Sequence, residues 1–303
     1  MSLSSAPLSR RAVLQLAGSA VTLPLLPLSS AAGQAAGQAP APGQARAQPT
    51  AKPAARKALP LKIGVASYSL RSFPQTQAIA ALKELGVRHV NIKDVHLSRT
   101  EGADAIRAGR KAFEDAGITI MGGGTLTWKT NDEALMRKDF EYAKLAGMPL
   151  VVCSPNPDAL DTLEKMVKEF DIKAAIHNHG PEDQWYPAPS DVLTRVQGRD
   201  PRLGLCMDIG HSVRAKADIV KSIADAGPRL LDLHIKDLTD KSDKDSQIEV
   251  GRGVLDVVGV FKALVAMKFA GHVALEYEIN EKDPVDGMRE SLAYMRGIAA
   301  ALA

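Results

Sequence analysis

Residues Lys173–His211 read KAAIHNHGPEDQWYPAPSDVLTRVQGRDPRLGLCMDIGH. The segment opens on a short apolar run, Lys173–His177, and closes on another, Leu203–Asp208, with a helix-period stretch, Ser190–Arg195, between them. Strand, helix and strand in that order imply two parallel strands joined by a right-handed crossover. Each run ends on ionisable residues, His177-Asn178-His179 and Asp208-Ile209-Gly210-His211.

The same unit recurs in both directions along the chain. Further apolar runs are Ile63–Ser67, His89–Asp94, Thr119–Gly123, Leu150–Cys153, Leu230–Lys236 and His272–Glu276. Helix-period stretches separate them: Thr76–Leu85, Asp104–Ala116, Asn131–Ala146, Ala159–Phe170, Ile219–Ala226 and Val257–Lys268, with Gly287–Ala300 at the end. Glycines at 86, 117, 147 and 271 stand where a left-handed residue would close a helix before the next strand. Eight strand–helix repeats predict an α/β protein with a single closed (β/α)8 TIM barrel over residues 61–303. A doubly wound open sheet would more usually carry a glycine-rich first turn, and Gly64-Val65-Ala66-Ser67 is no dinucleotide fingerprint.

Residues 1–32 read differently. Arg10-Arg11 precede an apolar stretch that runs to Leu28, followed by Ser29-Ser30-Ala31-Ala32, the pattern of a twin-arginine export signal. Gly18, Thr22, Pro24 and Pro27 weaken the stretch as a membrane span, so no stable insertion is expected once the signal is removed. Residues 33–60, rich in Ala, Gly, Gln and Pro, are expected to form a disordered linker, because they lack the apolar surface to offset ordering entropy. The expected location is the periplasm.

The hydrophobic fraction of 45% and charged fraction of 24% are those of an ordinary globular protein. The net charge is +3, with no basic stripe in the body, which argues against a nucleic-acid partner. Cys153 and Cys206 each lie in an apolar run and are expected as unpaired core thiols. A homo-oligomer is compatible with all of this.

In a (β/α)8 barrel chemistry sits at the C-terminal strand ends. Here four consecutive strands end on His177, Asp208, His234 and Glu276, and His96 closes the second strand. His89 and His272 precede their strands and are expected to be structural. Burying so many ionisable groups at one mouth is costly unless a cation or substrate compensates. Two imidazoles and two carboxylates suit one divalent metal ion, Mn²⁺, Zn²⁺, Co²⁺ or Fe²⁺. The expected ligands are His177, Asp208, His234 and Glu276, with His211 as a fifth ligand or a substrate contact. Tyr68, Arg71, Lys93, His96, His179, His211 and Lys236 are candidate contacts for a small carbohydrate, and Trp185 is a candidate sugar platform in the loop Gly180–Pro187. Gly251-Arg252-Gly253 is a candidate rim element, and the lysines and acids of 236–247 read as a solvated loop.

At these residues the chain resembles the xylose isomerase-like sugar phosphate isomerase/epimerase superfamily from about Leu61 onward. Asp208-x-x-His211, His234-x-x-Asp237 and Ala274-Leu275-Glu276 resemble metal-ligand positions of that superfamily. The resemblance implies a metal-dependent isomerase or epimerase acting by proton abstraction beside a sugar carbonyl. Glu276 would be the base. One departure matters: the related sugar 3-epimerases end the fifth strand on a Glu that binds metal and serves as the second acid/base, whereas this chain has His177. Imidazole titrates near neutrality, so His177 is a candidate acid/base. The alternative is a keto-sugar or keto-glycoside lyase or dehydratase, since β-elimination needs one strong base, and strand ends reading His-Asn-His occur among relatives resembling such enzymes. A metal-bearing sugar-binding protein without turnover is a further alternative. An endonuclease IV-like nuclease would need more ligands and a basic groove.

Overall fold

The computed structural model describes residues 59–303. The export signal and nearly all of the linker lie outside the described residues. The chain from Lys62 alternates strand and helix: β1 (Lys62–Ala66), α1 (Gln75–Glu84), β2 (His89–Ile92), α2 (Ala103–Asp115), β3 (Thr119–Trp128), α3 (Glu133–Leu145), β4 (Leu150–Pro155), α4 (Leu160–Phe170), β5 (Lys173–His177) and α5 (Pro189–Val196). It continues through β6 (Leu203–Asp208), α6 (Ile209–Arg214), α7 (Ile219–Ala226), β7 (Leu230–Ile235), a hairpin of β8 (Asp237–Leu238) and β9 (Gln247–Ile248), α8 (Val257–Ala266), β10 (His272–Leu275) and α9 (Val285–Ala301). Eight parallel strands close in the order β1-β10-β7-β6-β5-β4-β3-β2, so the expected barrel is the observed one.

Each helix lays an apolar stripe on the barrel. In α4, Leu160, Leu163, Met166 and Val167 are buried at spacings of three and four, one face of a helix. Gly86, Gly117 and Gly147 take the left-handed conformation expected of helix caps, with φ of 63°, 72° and 71°. Gly271 does not: Lys268, with φ of 56°, turns the chain after α8. Cys153 and Cys206 are free and buried.

Two expectations need correction. β3 continues beyond Gly123 to Trp128. The segment 236–247 is only partly a solvated loop, because Lys236, Asp237 and Leu238 are buried and β8 pairs antiparallel with β9. Asp237, one of the residues resembling a ligand position, instead anchors this excursion. Its carboxylate accepts hydrogen bonds from the backbone N–H of Gly251 and Gly253 (3.0 and 3.1 Å), and from those of Leu255 and Leu238 (3.1 and 3.0 Å). Arg252, between the two glycines, pairs with Glu290 on the surface.

Candidate metal centre and active site

β5, β6, β7 and β10 are consecutive in the barrel wall, and the four polar strand ends therefore stand side by side. Register sets their height. Asp208 pairs with His234, His177 with Cys206, and Ala274 with His234. Side chains two residues apart on a strand share a face, so Glu276 points to the same side as Ala274. The result is that His177, Asp208, His234 and Glu276 offer ligand atoms that all lie within 4.8 Å of one another, and all four residues are buried. The Cys206 thiol forms a similar group with His177 and His234 beneath them.

Each side chain is held by identifiable neighbours. Asp208 caps α6: one carboxylate oxygen, Oδ1, accepts from the His211 backbone N–H at 2.8 Å. Its other oxygen, Oδ2, is buried and is left to face the Lys236 ammonium. Asn178 holds the Asp208 backbone, accepting from its N–H at 3.0 Å and donating to its carbonyl at 3.3 Å and to Ser212 at 3.1 Å. Glu276 sits between two clamps. Ser69 Oγ donates to the Leu275 carbonyl and accepts from the Tyr277 N–H, while Gln247 of β9 donates to the Glu276 carbonyl and accepts from the Glu278 N–H. The hairpin thus fixes the end of β10. The clamping roles of Asn178 and Gln247 carry no sequence signal, because a backbone clamp leaves no motif.

His177 Nε2 faces His234 Nδ1 at 3.2 Å, and His234 Nδ1 is 3.1 Å from Glu276 Oε2. Burial, reinforced by His234, pushes His177 well below its ordinary pKa and keeps it neutral. Burial acts the same way on His234, but Glu276 and the nearby aspartates outweigh it and raise its pKa. Burial would raise Glu276, yet His234 and Lys236 hold it well below the usual carboxylate range.

Lys236, expected at the substrate, lies inside this cluster. Its Nζ is 3.1 Å from Asp208 Oδ2 and 3.2 Å from Glu276 Oε2, and it also pairs with Glu278. Period-two alternation carries the signal, since Lys236 shares the inward face of His234. Gly210 makes room for it: a Cβ there would lie 2.7 Å from Lys236 Cγ and Cδ.

Above the cluster, Arg71, His179, His211, Arg214 and Glu278 border a cavity of about 430 Å³. Arg71 also borders a second cavity of about 490 Å³ with Tyr68, Lys93, Thr125 and Leu126. Lys93 Nζ lies 5.0 Å from the centre of the Tyr68 ring and 3.4 Å from Thr125 Oγ1.

Two expected contacts, His96 and Trp185, are placed elsewhere. His96 is buried, and its nitrogens bond Ser67 Oγ at 2.9 Å and the carbonyls of Leu70 and Phe73 at 3.1 and 3.2 Å, which locks the turn after β1. Trp185 packs half-buried against the core, not as an open platform. His211 stands outside the four-ligand group, and its Nδ1 is 3.1 Å from Arg214.

A closed eight-stranded barrel whose buried His and carboxylate side chains converge at its C-terminal mouth is an α/β barrel of the (β/α)8 class, with its polar groups where that fold carries chemistry. The chain belongs to the xylose isomerase-like TIM barrel family, whose model matches residues 79–298. Among curated proteins none matches it. Of solved structures, an uncharacterised protein from Parabacteroides distasonis is 25% identical, with a TM-score of 0.62 over 78% of this chain and 99% of that one. A D-psicose 3-epimerase shares 14% identity and a TM-score of 0.65, covering 79% of this chain and 100% of the other. A 3-keto-D-glucoside 4-epimerase from E. coli shares 17% and 0.62, covering 78% and 99%. At these identities the two epimerases show the fold they have in common with this chain.

Proposed function

We propose that this protein is a metal-dependent enzyme of the sugar isomerase or epimerase type, moving a proton at a carbon beside a sugar carbonyl. The carrying observation is the convergence of His177, Asp208, His234 and Glu276. The donor set fits a divalent transition-metal ion: two imidazole nitrogens face one another, and buried Asp208 Oδ2 already faces a cation, Lys236 Nζ at 3.1 Å, with His177 Nε2 at 3.8 Å. With neutral imidazoles, the three carboxylates of Asp208, Glu276 and Glu278 exceed the Lys236 charge by two, which a divalent cation would balance.

Bound by these four residues, such an ion would supply Lewis-acid polarisation of a carbonyl. Glu276 is the base: its carboxylate takes the proton from the carbon beside the carbonyl, and returning it to the neighbouring carbon completes isomerisation, whereas epimerisation needs a second acid to deliver a proton to the opposite face. His177, whose Nε2 points into the donor set, is assigned as a ligand. Arg71, Lys93, His179 and His211, around the two cavities, hold sugar oxygens. The presence of sugar epimerases among similar structures supports this substrate class. The twin-arginine segment supports a periplasmic location, and with it an unphosphorylated sugar.

One observation favours a second reading. β5 ends on an imidazole, so the site lacks a second carboxylate base opposite Glu276. β-Elimination needs one base, with an acid to protonate the departing oxygen, and would make the protein a keto-sugar or keto-glycoside lyase.

The test is proton exchange in D₂O on a panel of keto-sugars and keto-glycosides, followed by NMR with Mn²⁺-loaded protein. We expect exchange beside the carbonyl that stops on chelation and falls about 10²–10⁴-fold in Glu276→Gln. An unsaturated product selects the lyase. No exchange on any panel member, with metal bound, would overturn both and leave a sugar-binding protein.

A further inference from the structure

Arg214 lies on α6 one turn after His211, and its side chain is 5% exposed. One guanidinium nitrogen is 3.1 Å from His211 Nδ1, and another pairs with Glu182 of the Gly180–Pro187 loop. That loop is closed at its base, where the His179 N–H donates to the Tyr186 carbonyl and the Gly180 N–H to the Pro187 carbonyl. A guanidinium is always protonated and can only donate. The His211 nitrogen facing it must therefore be an acceptor, and the ring proton must sit on Nε2.

We propose that Arg214, steadied by Glu182, is a positioning residue that fixes His211 as an Nε2–H donor to a substrate oxygen and so excludes it from the metal. The inference rests on the proposed sugar chemistry for its substrate and on geometry for its tautomer. The His211 backbone N–H is spent on Asp208 and its Nδ1 on Arg214, which leaves Nε2 as the one polar ring atom for the cavity it borders. Its ring lies against that of His179, with centroids 4.6 Å apart. Burial pushes the imidazole down to about 4, which agrees with a neutral ring. A fixed donor demands an acceptor, so the group bound here is a carbonyl or hydroxyl oxygen, and an analogue with hydrogen or an amine in its place should bind worse. The loop acts on the site through Glu182 and Arg214.

The experiment is long-range ¹H–¹⁵N NMR of the imidazoles in the full protein, with the His211 signals assigned by their loss in His211→Gln. We expect Nε2–H in the wild type and a tautomer mixture in Arg214→Met. With a keto-sugar identified by exchange, Arg214→Met should lower kcat/KM about 10–100-fold, mainly through KM, with metal content unchanged. Arg214→Lys, which can still donate, should restore the tautomer and part of the KM. A wild-type His211 protonated on Nδ1 overturns the proposal, as does an Arg214→Met protein with unchanged tautomer. Loss of metal in His211→Gln would overturn it by making His211 a ligand. The wild-type spectrum decides even if the variant fails to fold. Absence of proton exchange would sink the proposed function while leaving the tautomer measurement interpretable.

Discussion

The barrel interior buries two polar clusters, and they are built on opposite principles. The upper one sets His177, Asp208, His234 and Glu276 around a common point, with donor atoms aimed at each other. The lower one joins β2, β7 and β10. Asp232 accepts from Asn91 Nδ2 at 2.8 Å and from the Leu233 N–H at 2.9 Å, and His272 Nδ1 lies 3.8 Å from its Oδ1. The ring nitrogens of His272 make no well-formed hydrogen bond, only a weak approach to the His89 backbone, and His89 reaches the Ile63 carbonyl at 3.4 Å. Both clusters hold buried carboxylates and imidazoles. Counting ionisable groups therefore does not find a site; convergence of their lone pairs does.

The contrast makes graded predictions. The largest effect belongs above. Saturating metal at about a thousandfold excess over Kd should stabilise the fold by about 4 kcal/mol, about 8–16 °C in Tm for a domain of this size. Chelation or Asp208→Asn should remove that gain in a thermal melt. An Asp208→Asn protein that keeps both metal and melting temperature would erase the distinction.

Next comes the lower cluster. Asn91→Leu leaves the Asp232 carboxylate short of a donor at a buried position, at a cost of about 2–3 kcal/mol. Urea unfolding should show this loss while metal stoichiometry stays the same. A variant that instead lost metal would mean that the two clusters act as one.

The third effect vanishes at neutral pH and appears only in acid. Burial, with His89, pushes His272 down to about 3. Between about 6.5 and that value the unfolded chain takes up a proton that the folded one refuses, so stability falls as pH drops through this window. Above it the group contributes nothing. His272→Leu gives up no more than a weak contact with the His89 backbone, so it should stay close to the wild type near pH 7 and unfold with one proton less dependence on pH in the acid range. Identical acid limbs in urea titrations would rule this out.

The barrel was legible because its strands are apolar runs bounded by helix-period stretches, and the four converging residues because each ends such a run. What escaped is equally physical. Gly122-Gly123-Gly124 reads as a strand terminator, yet Gly122 and Gly124 let β3 and β4 approach: a Cβ at Gly124 would lie 2.1 Å from the Val152 carbonyl oxygen. Asp237 sits among charged residues that look solvated, and only its four backbone donors reveal an anchor. His96 shares a strand end with Lys93, but the chain turns there and carries its ring under Ser67. Arg214 could have been noticed, since it follows His211 at a spacing that puts both on one helix face.

Gly210 and Lys236 carry an evolutionary corollary. The lysine stem passes where a methyl group at 210 would sit, and its tip is tethered by three carboxylates, so it cannot swing aside. Drift at the two positions should be coupled in descendants of this chain. Alanine or serine at 210 becomes tolerable once a shorter residue replaces the lysine, and the order of those changes is constrained, with the lysine going first.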